Sequence, residues 1–257
     1  MFGLKNYGGS CWLNACLQAI LRLPDIKQRY DTLEEPLNSV DKSLQKLWKT
    51  GGQDGLKELF DSIRESNTSE SGNPAYEMLA GQNVGDSNEA FIYFCDKLPF
   101  LDSLCRYTFI EKIMCPCGFQ QERQDSHVQF ELYPPNKNTQ ITTCISDVVK
   151  PEILDSWKCD KCSERGKAHK QIIIKTFPKI FTFKLLSSGI VFANMLIINS
   201  NKYQLKSIVC FNGGHWWAYS KDALWTLLDD TNVRQLRPNE IPSSQTIKML
   251  IYYRIDE

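Results

Sequence analysis

The hydrophobic period changes once along this chain, and that change constrains the fold more than any other feature. Up to about residue 104 the apolar residues recur at helical spacing: Leu13, Leu17, Ile20 and Leu21 until Pro24, then Leu44, Leu47 and Trp48, then Leu56, Leu59, Phe60 and Ile63. Gly51, Gly52 and Gly55 separate the last two segments, and residues 66–74 have the composition of a solvated loop. Asp86 is placed to cap a further helix that runs through Glu89, Phe91, Phe94 and Leu98 and stops at Pro99. From about residue 105 the signal turns to strands, expected at 107–114, 127–132, 171–176, 180–185, 203–211, 215–220 and 224–228. The expected class is therefore α+β, a helical N-terminal lobe followed by a β-rich C-terminal lobe.

With 257 residues and 42% hydrophobic content, the chain can bury a substantial core and is near the size at which one core begins to divide. Its 30 basic and 30 acidic residues cancel, so no global field favours nucleic acid or an anionic membrane, and neither is expected as a partner. The opening MFGLKNYGG has no charged-then-apolar leader, and no segment approaches the length of a membrane span. An intracellular place, cytoplasmic or nuclear, is expected.

Ten cysteines are too sparse for a small disulfide scaffold, so their spacing must separate their roles. Cys16, Cys95, Cys105, Cys144 and Cys210 have no partner pattern and read as small buried apolar residues. Cys11 follows Gly8, Gly9 and Ser10 and begins an amphipathic helix, a place where backbone N–H groups and the helix dipole favour a thiolate. It is a candidate nucleophile, or else a cysteine packed at a tight turn. Asn6 offers an amide either to the oxyanion of a tetrahedral intermediate or to the backbone of that turn.

A thiol nucleophile needs a base, and only three histidines exist. His127 and His169 lie in polar context and read as surface residues. His215 follows Gly213 and Gly214, which permit close backbone approach by a substrate, and opens the aromatic run Trp216–Trp217–Ala218–Tyr219. If Lys221, Asp222 and Ala223 form a three-residue turn, the pairing centres on position 222 and sets His215 across from Asp229, with Asp230 on the opposite face. A one-residue slip exchanges the two aspartates, and an aspartate pair capping the turn at Thr231 is the alternative. A carboxylate on one imidazole nitrogen fixes the tautomer that lets the other accept a thiol proton.

The segment Gly3–Leu4–Lys5–Asn6–Tyr7–Gly8–Gly9–Ser10–Cys11–Trp12–Leu13–Asn14 with Leu17–Gln18 resembles the cysteine box of the ubiquitin-specific proteases, roughly GLxNxGNTCYxNxxLQ. Gly214–His215–Trp216–Trp217–Ala218–Tyr219, with Trp225 and Asp229–Asp230, resembles that family's histidine box, and Asp86–Ser87–Asn88–Glu89–Ala90–Phe91 resembles its QDAxEF segment. The resemblance implies a papain-like fold of thumb (about 1–104), fingers (about 105–175) and palm (about 176–257), with the ubiquitin tail in the thumb–palm cleft. It implies Cys11 as nucleophile, His215 as base, Asp229 as its orienting acid, Asn6 as oxyanion donor and Asp230 as a supporting neighbour. It also implies a substrate surface that includes Asp86, which receives an arginine of the tail, with Glu89, Gly214 and Trp216. The implied activity is thiol-dependent hydrolysis at the C-terminal glycine of ubiquitin. An inactive ubiquitin-binding member would need none of Cys11, His215, Asp229 and Asn6.

Several positions depart from the family pattern. Gly9 and Ser10 replace Asn and Thr, Trp12 and Trp216 replace tyrosines, Lys184–Leu185–Leu186–Ser187 replaces LKRF, and Val209–His215 is short. The last two touch the implied substrate surface and leave ubiquitin and a ubiquitin-like modifier both open. Cys115–Pro116–Cys117 and Cys159–Asp160–Lys161–Cys162 offer the four thiolates of a structural tetrahedral zinc, which the fingers of this family often carry. The expected cofactor is therefore structural Zn2+ with no part in hydrolysis, against four reduced cysteines left from an abandoned site.

Overall fold

Helices occupy the chain up to Cys105 and strands begin at Tyr107, among the residues described by the computed structural model: 2–52, 54–67, 85–237, 240 and 246–255. The helices are α1 (Cys11–Ile20), α2 (Pro24–Thr32), α3 (Ser39–Lys49), α4 (Leu56–Asn67), α5 (Ser87–Lys97), α6 (Pro99–Cys105) and α7 (Ile141–Val149). Pro24 does follow the end of α1, but it also occupies the first turn of α2, where its missing N–H is not needed, and Pro99 does the same for α6. The loop expected at 66–74 is helical as far as Asn67, and residues 68–74 lie outside the described residues. Asp86 caps α5 as the sequence predicts. α7 has the β-branched sequence ITTCISDVV, yet burying Ile141, Cys144 and Ile145 on one side overrides strand propensity.

The strands are β1 (Tyr107–Met114), β2 (Gln120–His127), β3 (Phe130–Leu132), β4 (Thr139–Gln140), β5 (Glu152–Ile153), β6 (His169–Thr176) and β7 (Ile180–Leu185). They continue as β8 (Ile190–Val191), β9 (Met195–Ile198), β10 (Asn201–Phe211), β11 (Trp216–Lys221), β12 (Trp225–Asp229), β13 (Asn232–Gln235) and β14 (Ile247–Arg254). A four-stranded sheet has the order β2-β1-β6-β5, and an eight-stranded sheet has the order β13-β12-β11-β10-β14-β7-β3 with β9 added on β10. The strand expected at 127–132 is divided, because His127 ends β2 in one sheet and Phe130 begins β3 in the other. β2, with the sequence QQERQDSH, is mostly exposed and has no apolar alternation to reveal it.

The eight-stranded sheet separates two cores. Alternation along β10 sends Val209 toward α1 and the other helices, and Ile208 and Cys210 toward β1, β3 and α7. β14 lies between β10 and β7 and is buried on both faces, so its run IKMLIYYR does not alternate. All ten residues of α1 are buried, and the helix packs against β10, β11, β12 and α5. Cys16, Cys95, Cys105, Cys144 and Cys210 are free and buried, as expected of small apolar residues. No helix among the described residues is long and apolar enough to cross a membrane.

Candidate active site

Cys11 is the first residue of α1, and the turn that delivers it uses Gly8 at φ 73° and Gly9 at φ 114°, conformations that a side chain would strain. Asn6 Oδ1 accepts from the Gly9 and Ser10 amides at 3.0 and 3.2 Å, so Asn6 does act as the backbone partner of the turn. Ser10 Oγ accepts from the Tyr7 amide at 2.9 Å and makes no side-chain cap on the helix. The first-turn N–H groups of α1 are therefore not taken by a capping side chain. Cys11 is only 5% exposed.

The β11–β12 hairpin differs from the sequence expectation by one residue. Lys221 pairs with Trp225, so the three-residue turn is Asp222–Leu224 and the pairing centres on position 223. Moving the centre by one residue moves every partner by two, and side chains alternate with period two, so Asp229 remains on the face of His215 and reaches it diagonally. The contact is short: His215 Nε2 donates to Asp229 Oδ1 at 2.6 Å. Asn212 Oδ1 accepts from the Gly214 and His215 amides at 3.1 and 2.9 Å, and the Asn212 amide donates to the His215 carbonyl at 3.2 Å. These bonds close a tight Gly213–Gly214 turn immediately before the histidine. Trp217 stacks beside His215, whereas Trp216 faces the α1 core at 4% exposure and stacks on Phe211.

Asp230, beside the His215–Asp229 pair, is bonded to α1 and to the turn before it. Its carboxylate accepts from Asn6 Nδ2 and Asn14 Nδ2, each at 2.8 Å, and its carbonyl accepts from the Leu4 amide at 2.9 Å and Gln18 Nε2 at 3.1 Å. Gly3 must be glycine here, since a Cβ would lie 2.6 Å from Thr231 Cα and 2.7 Å from the Asp230 carbonyl oxygen. Ligand atoms of His215, Asp229 and Asp230 all lie within 4.8 Å of one another. The structure thus gathers Asn6, His215, Asp229 and Asp230 beside the helix that starts with Cys11. His127 and His169 are exposed members of the four-stranded sheet.

Asp86 spends its carboxylate on the cap of α5, accepting from the Asn88 amide at 2.6 Å and Asn88 Nδ2 at 2.8 Å, and Glu89 lies half-buried in the first turn. Ser87 Oγ donates to the Trp12 carbonyl at 2.7 Å, and a Cβ on Gly85 would lie 2.7 Å from the Trp12 ring. The start of α5 is thereby held against the residue after Cys11. Sequence reasoning assigned no role to Asn14 or Gln18. Their signal was available: two polar residues at i+3 and i+7 from Cys11 interrupt an otherwise apolar helix.

The paired cysteines come together at the far end of the four-stranded sheet. Cys115 and Cys117 sit between β1 and β2, and Cys159 and Cys162 between β5 and β6. Cys115 and Cys162 Sγ atoms are 3.8 Å apart, Cys117 and Cys159 Sγ atoms 3.6 Å, and all four lie within 4.8 Å of one another. A tetrahedron with Zn–S bonds of about 2.3 Å has edges of about 3.8 Å, so the donor set fits zinc in number, chemistry and spacing. Gly118 at φ 85° lets its amide return to the Cys115 carbonyl at 3.0 Å, which closes the tight C-x-C turn.

Comparison with known proteins gives a consistent result. The family profile described as UCH, Ubiquitin carboxyl-terminal hydrolase, matches residues 2–188. The chain is 21% identical to the Probable ubiquitin carboxyl-terminal hydrolase 8 of Schizosaccharomyces pombe, over 98% of this chain and 65% of that protein. It is 27% identical to the Ubiquitin carboxyl-terminal hydrolase 4 of Eremothecium gossypii, over 48% of this chain and 20% of that protein. The chain therefore matches less than two thirds of the length of either relative. In structure it resembles a SAGA DUB module of Ubp8, Sgf11, Sus1 and Sgf73 bound to monoubiquitin, with a TM-score of 0.82 at 19% identity over 100% of this chain and 69% of that one. The same module bound to ubiquitin aldehyde matches with a TM-score of 0.80 at 18% identity. These likenesses establish the α+β fold.

Proposed function

Because this chain belongs to the ubiquitin carboxyl-terminal hydrolase family, we propose that it is a thiol-dependent deubiquitinase that hydrolyses the isopeptide or peptide bond after the C-terminal glycine of ubiquitin. The observation that carries this reading is the 2.6 Å His215–Asp229 pair, on a hairpin packed against the helix that begins with Cys11. With Nε2 committed to Asp229, Nδ1 of His215 is the nitrogen that takes the Cys11 proton. The thiolate attacks the glycine carbonyl, and the imidazolium returns its proton to the leaving lysine amine. Water, deprotonated by the same imidazole, then cleaves the thioester. Asn6 Nδ2 is an oxyanion donor held in place by Asp230. In this reading residues of about 1–104, 105–175 and 176–257 form thumb, fingers and palm, with β3 of the middle segment paired into the eight-stranded sheet, and Asp86, Glu89 and Gly214 line the path of the ubiquitin tail.

Cys115, Cys117, Cys159 and Cys162 would hold Zn2+, which supplies a cross-link between the two turns at the fingertip and no reacting group. A protease for a ubiquitin-like modifier is the second reading. It is favoured by the tight Gly213–Gly214 turn before His215 and by the Lys184–Ser187 departure, both at the implied substrate surface.

The direct experiment incubates the protein with tail-reactive probes built on ubiquitin and on its relatives and locates the adduct by mass spectrometry. Cys11 labelled by the ubiquitin probe is the expected result, labelling by a relative alone selects the second reading, and no labelling by any probe overturns both. The two aspartates give a separate test. Asp229→Asn is expected to lower kcat by on the order of 10²–10⁴-fold, since the imidazole loses the anion that sets its tautomer. Asp230→Asn keeps an acceptor for one of its two amide partners and is expected to cost less. The reverse order in steady-state kinetics would assign the orienting role to Asp230.

A further inference from the structure

Cys11, Asn14 and Gln18 lie along one face of α1, at i, i+3 and i+7, and Arg22 continues that line just past the helix end. Asn14 and Gln18 are completely buried and Arg22 nearly so, an expensive choice in a helix that is otherwise apolar and enclosed. Asn14 and Gln18 both donate to Asp230, whereas Arg22 braces the end of the helix. Asn14 Nδ2 donates to Asp230 Oδ1 at 2.8 Å and to the Lys5 carbonyl at 3.2 Å, and Gln18 Nε2 donates to the Asp230 carbonyl at 3.1 Å. Arg22 Nη1 donates to the Gln18 carbonyl at 2.9 Å and Nη2 to the Phe2 carbonyl at 2.6 Å. The amide oxygens of Asn14 and Gln18 have no hydrogen-bond partner among the described residues, so both side chains act as donors only.

The acceptor that Asn14 and Gln18 share has an uncommon backbone conformation. Asp230 has φ 50°, a left-handed conformation uncommon outside glycine, although aspartate tolerates it better than most residues. Asp230 directly follows Asp229, the partner of His215. A shift of the Asp230 turn relative to α1 therefore changes the distance from the Cys11 thiol to the His215–Asp229 pair. We propose that Asn14 and Gln18 are positioning residues, which lock the Asp229–Asp230 turn onto the nucleophile helix and so set the thiol–imidazole spacing. This rests on the deubiquitinase reading, and Asn14 is the stronger of the two because its bond is to a carboxylate.

The test uses Asn14→Ala, Gln18→Met, Asn14→Asp and the exchange of Asn14→Asp combined with Asp230→Asn, which restores an amide–carboxylate pair in the opposite sense. Turnover of a fluorogenic ubiquitin conjugate by the unaltered protein checks the underlying reading. The variants are then compared in kcat, KM, melting temperature and the rate at which iodoacetamide alkylates Cys11, a readout that needs no ubiquitin. Asn14→Ala is expected to lower kcat on the order of 10²-fold, the cost of a displacement of about 1 Å, and to slow alkylation. KM should stay within about two-fold by the same argument, since the ubiquitin-binding surface is untouched. Gln18→Met should show a smaller loss in the same direction, and the exchange should recover part of both rates over Asn14→Asp alone. A change confined to KM, a folded Asn14→Ala variant with unchanged kcat, or an exchange that recovers stability without recovering alkylation would each overturn the proposal. If Asn14→Ala does not fold, Gln18→Met and the exchange decide by the same criteria.

Discussion

Cys11→Ala is expected to abolish hydrolysis while leaving the fold and the affinity for ubiquitin intact. The substitution removes one sulfur at the first position of α1, where alanine is a good helix former and where the Asn6 bonds to Gly9 and Ser10 already hold the turn. No other side chain of the site can form the thioester. His215→Ala removes the group that carries the proton in both directions and is expected to cost at least about 10²–10⁴-fold in kcat. His127→Ala and His169→Ala, on the exposed four-stranded sheet, are expected to stay within a few-fold. Steady-state kinetics with a fluorogenic ubiquitin conjugate, together with calorimetric binding of ubiquitin to the Cys11→Ala variant, checks all of these. Turnover above a trace in Cys11→Ala would remove the nucleophile assignment, and dependence on His127 would move the base to a different sheet.

The second large effect is on stability. Cys159→Ser is expected to lower zinc content from about one ion per chain toward zero and to lower the melting temperature by roughly 10 °C. Structural zinc contributes about 10–16 kcal/mol in isolated zinc-finger peptides, and losing only a few of these is enough, because 1 kcal/mol corresponds to about 2–4 °C in a chain of this size. The effect should concentrate at the end of the four-stranded sheet, where Cys159 is fully buried and Trp157 packs on Phe119. Brief chelation of the folded enzyme should raise KM before it changes kcat, since the thiol mechanism uses no metal-bound water. Metal-free protein with unchanged melting in the variant would show a cysteine cluster without its ion. Immediate loss of kcat on chelation would contradict the proposed chemistry.

Much of the fold could be read from local signals. The helical period ahead of Cys105, the cap at Asp86 and the strand at Ile180–Leu185 all announce themselves within a few residues. The segments that escaped reading lack such a signal. β2 is polar on both faces, β14 is apolar on both, α2 buries little beyond Ile26 and Tyr30, and α7 has the composition of a strand. In the hairpin of β11 and β12, the turn has the assumed three-residue length but lies one residue further along the chain. The misplacement shifted partners by an even number of residues, which is why His215 and Asp229 still meet.

The sequence by itself determined the chemistry available to this protein: a cysteine at a helix start, a histidine after two glycines, two adjacent aspartates and two close pairs of cysteines, each defined by neighbours a few bonds away. Only the tertiary structure decided how these groups face one another. It turned Asp229 toward His215 and Asp230 toward Asn6 and Asn14, and it brought the sulfurs of Cys117 and Cys159 to 3.6 Å. The reason is physical. Side-chain type and hydrophobic period are properties of short segments, whereas the Asn14–Asp230 bond joins residues 216 positions apart and exists only once α1 has packed against the sheet.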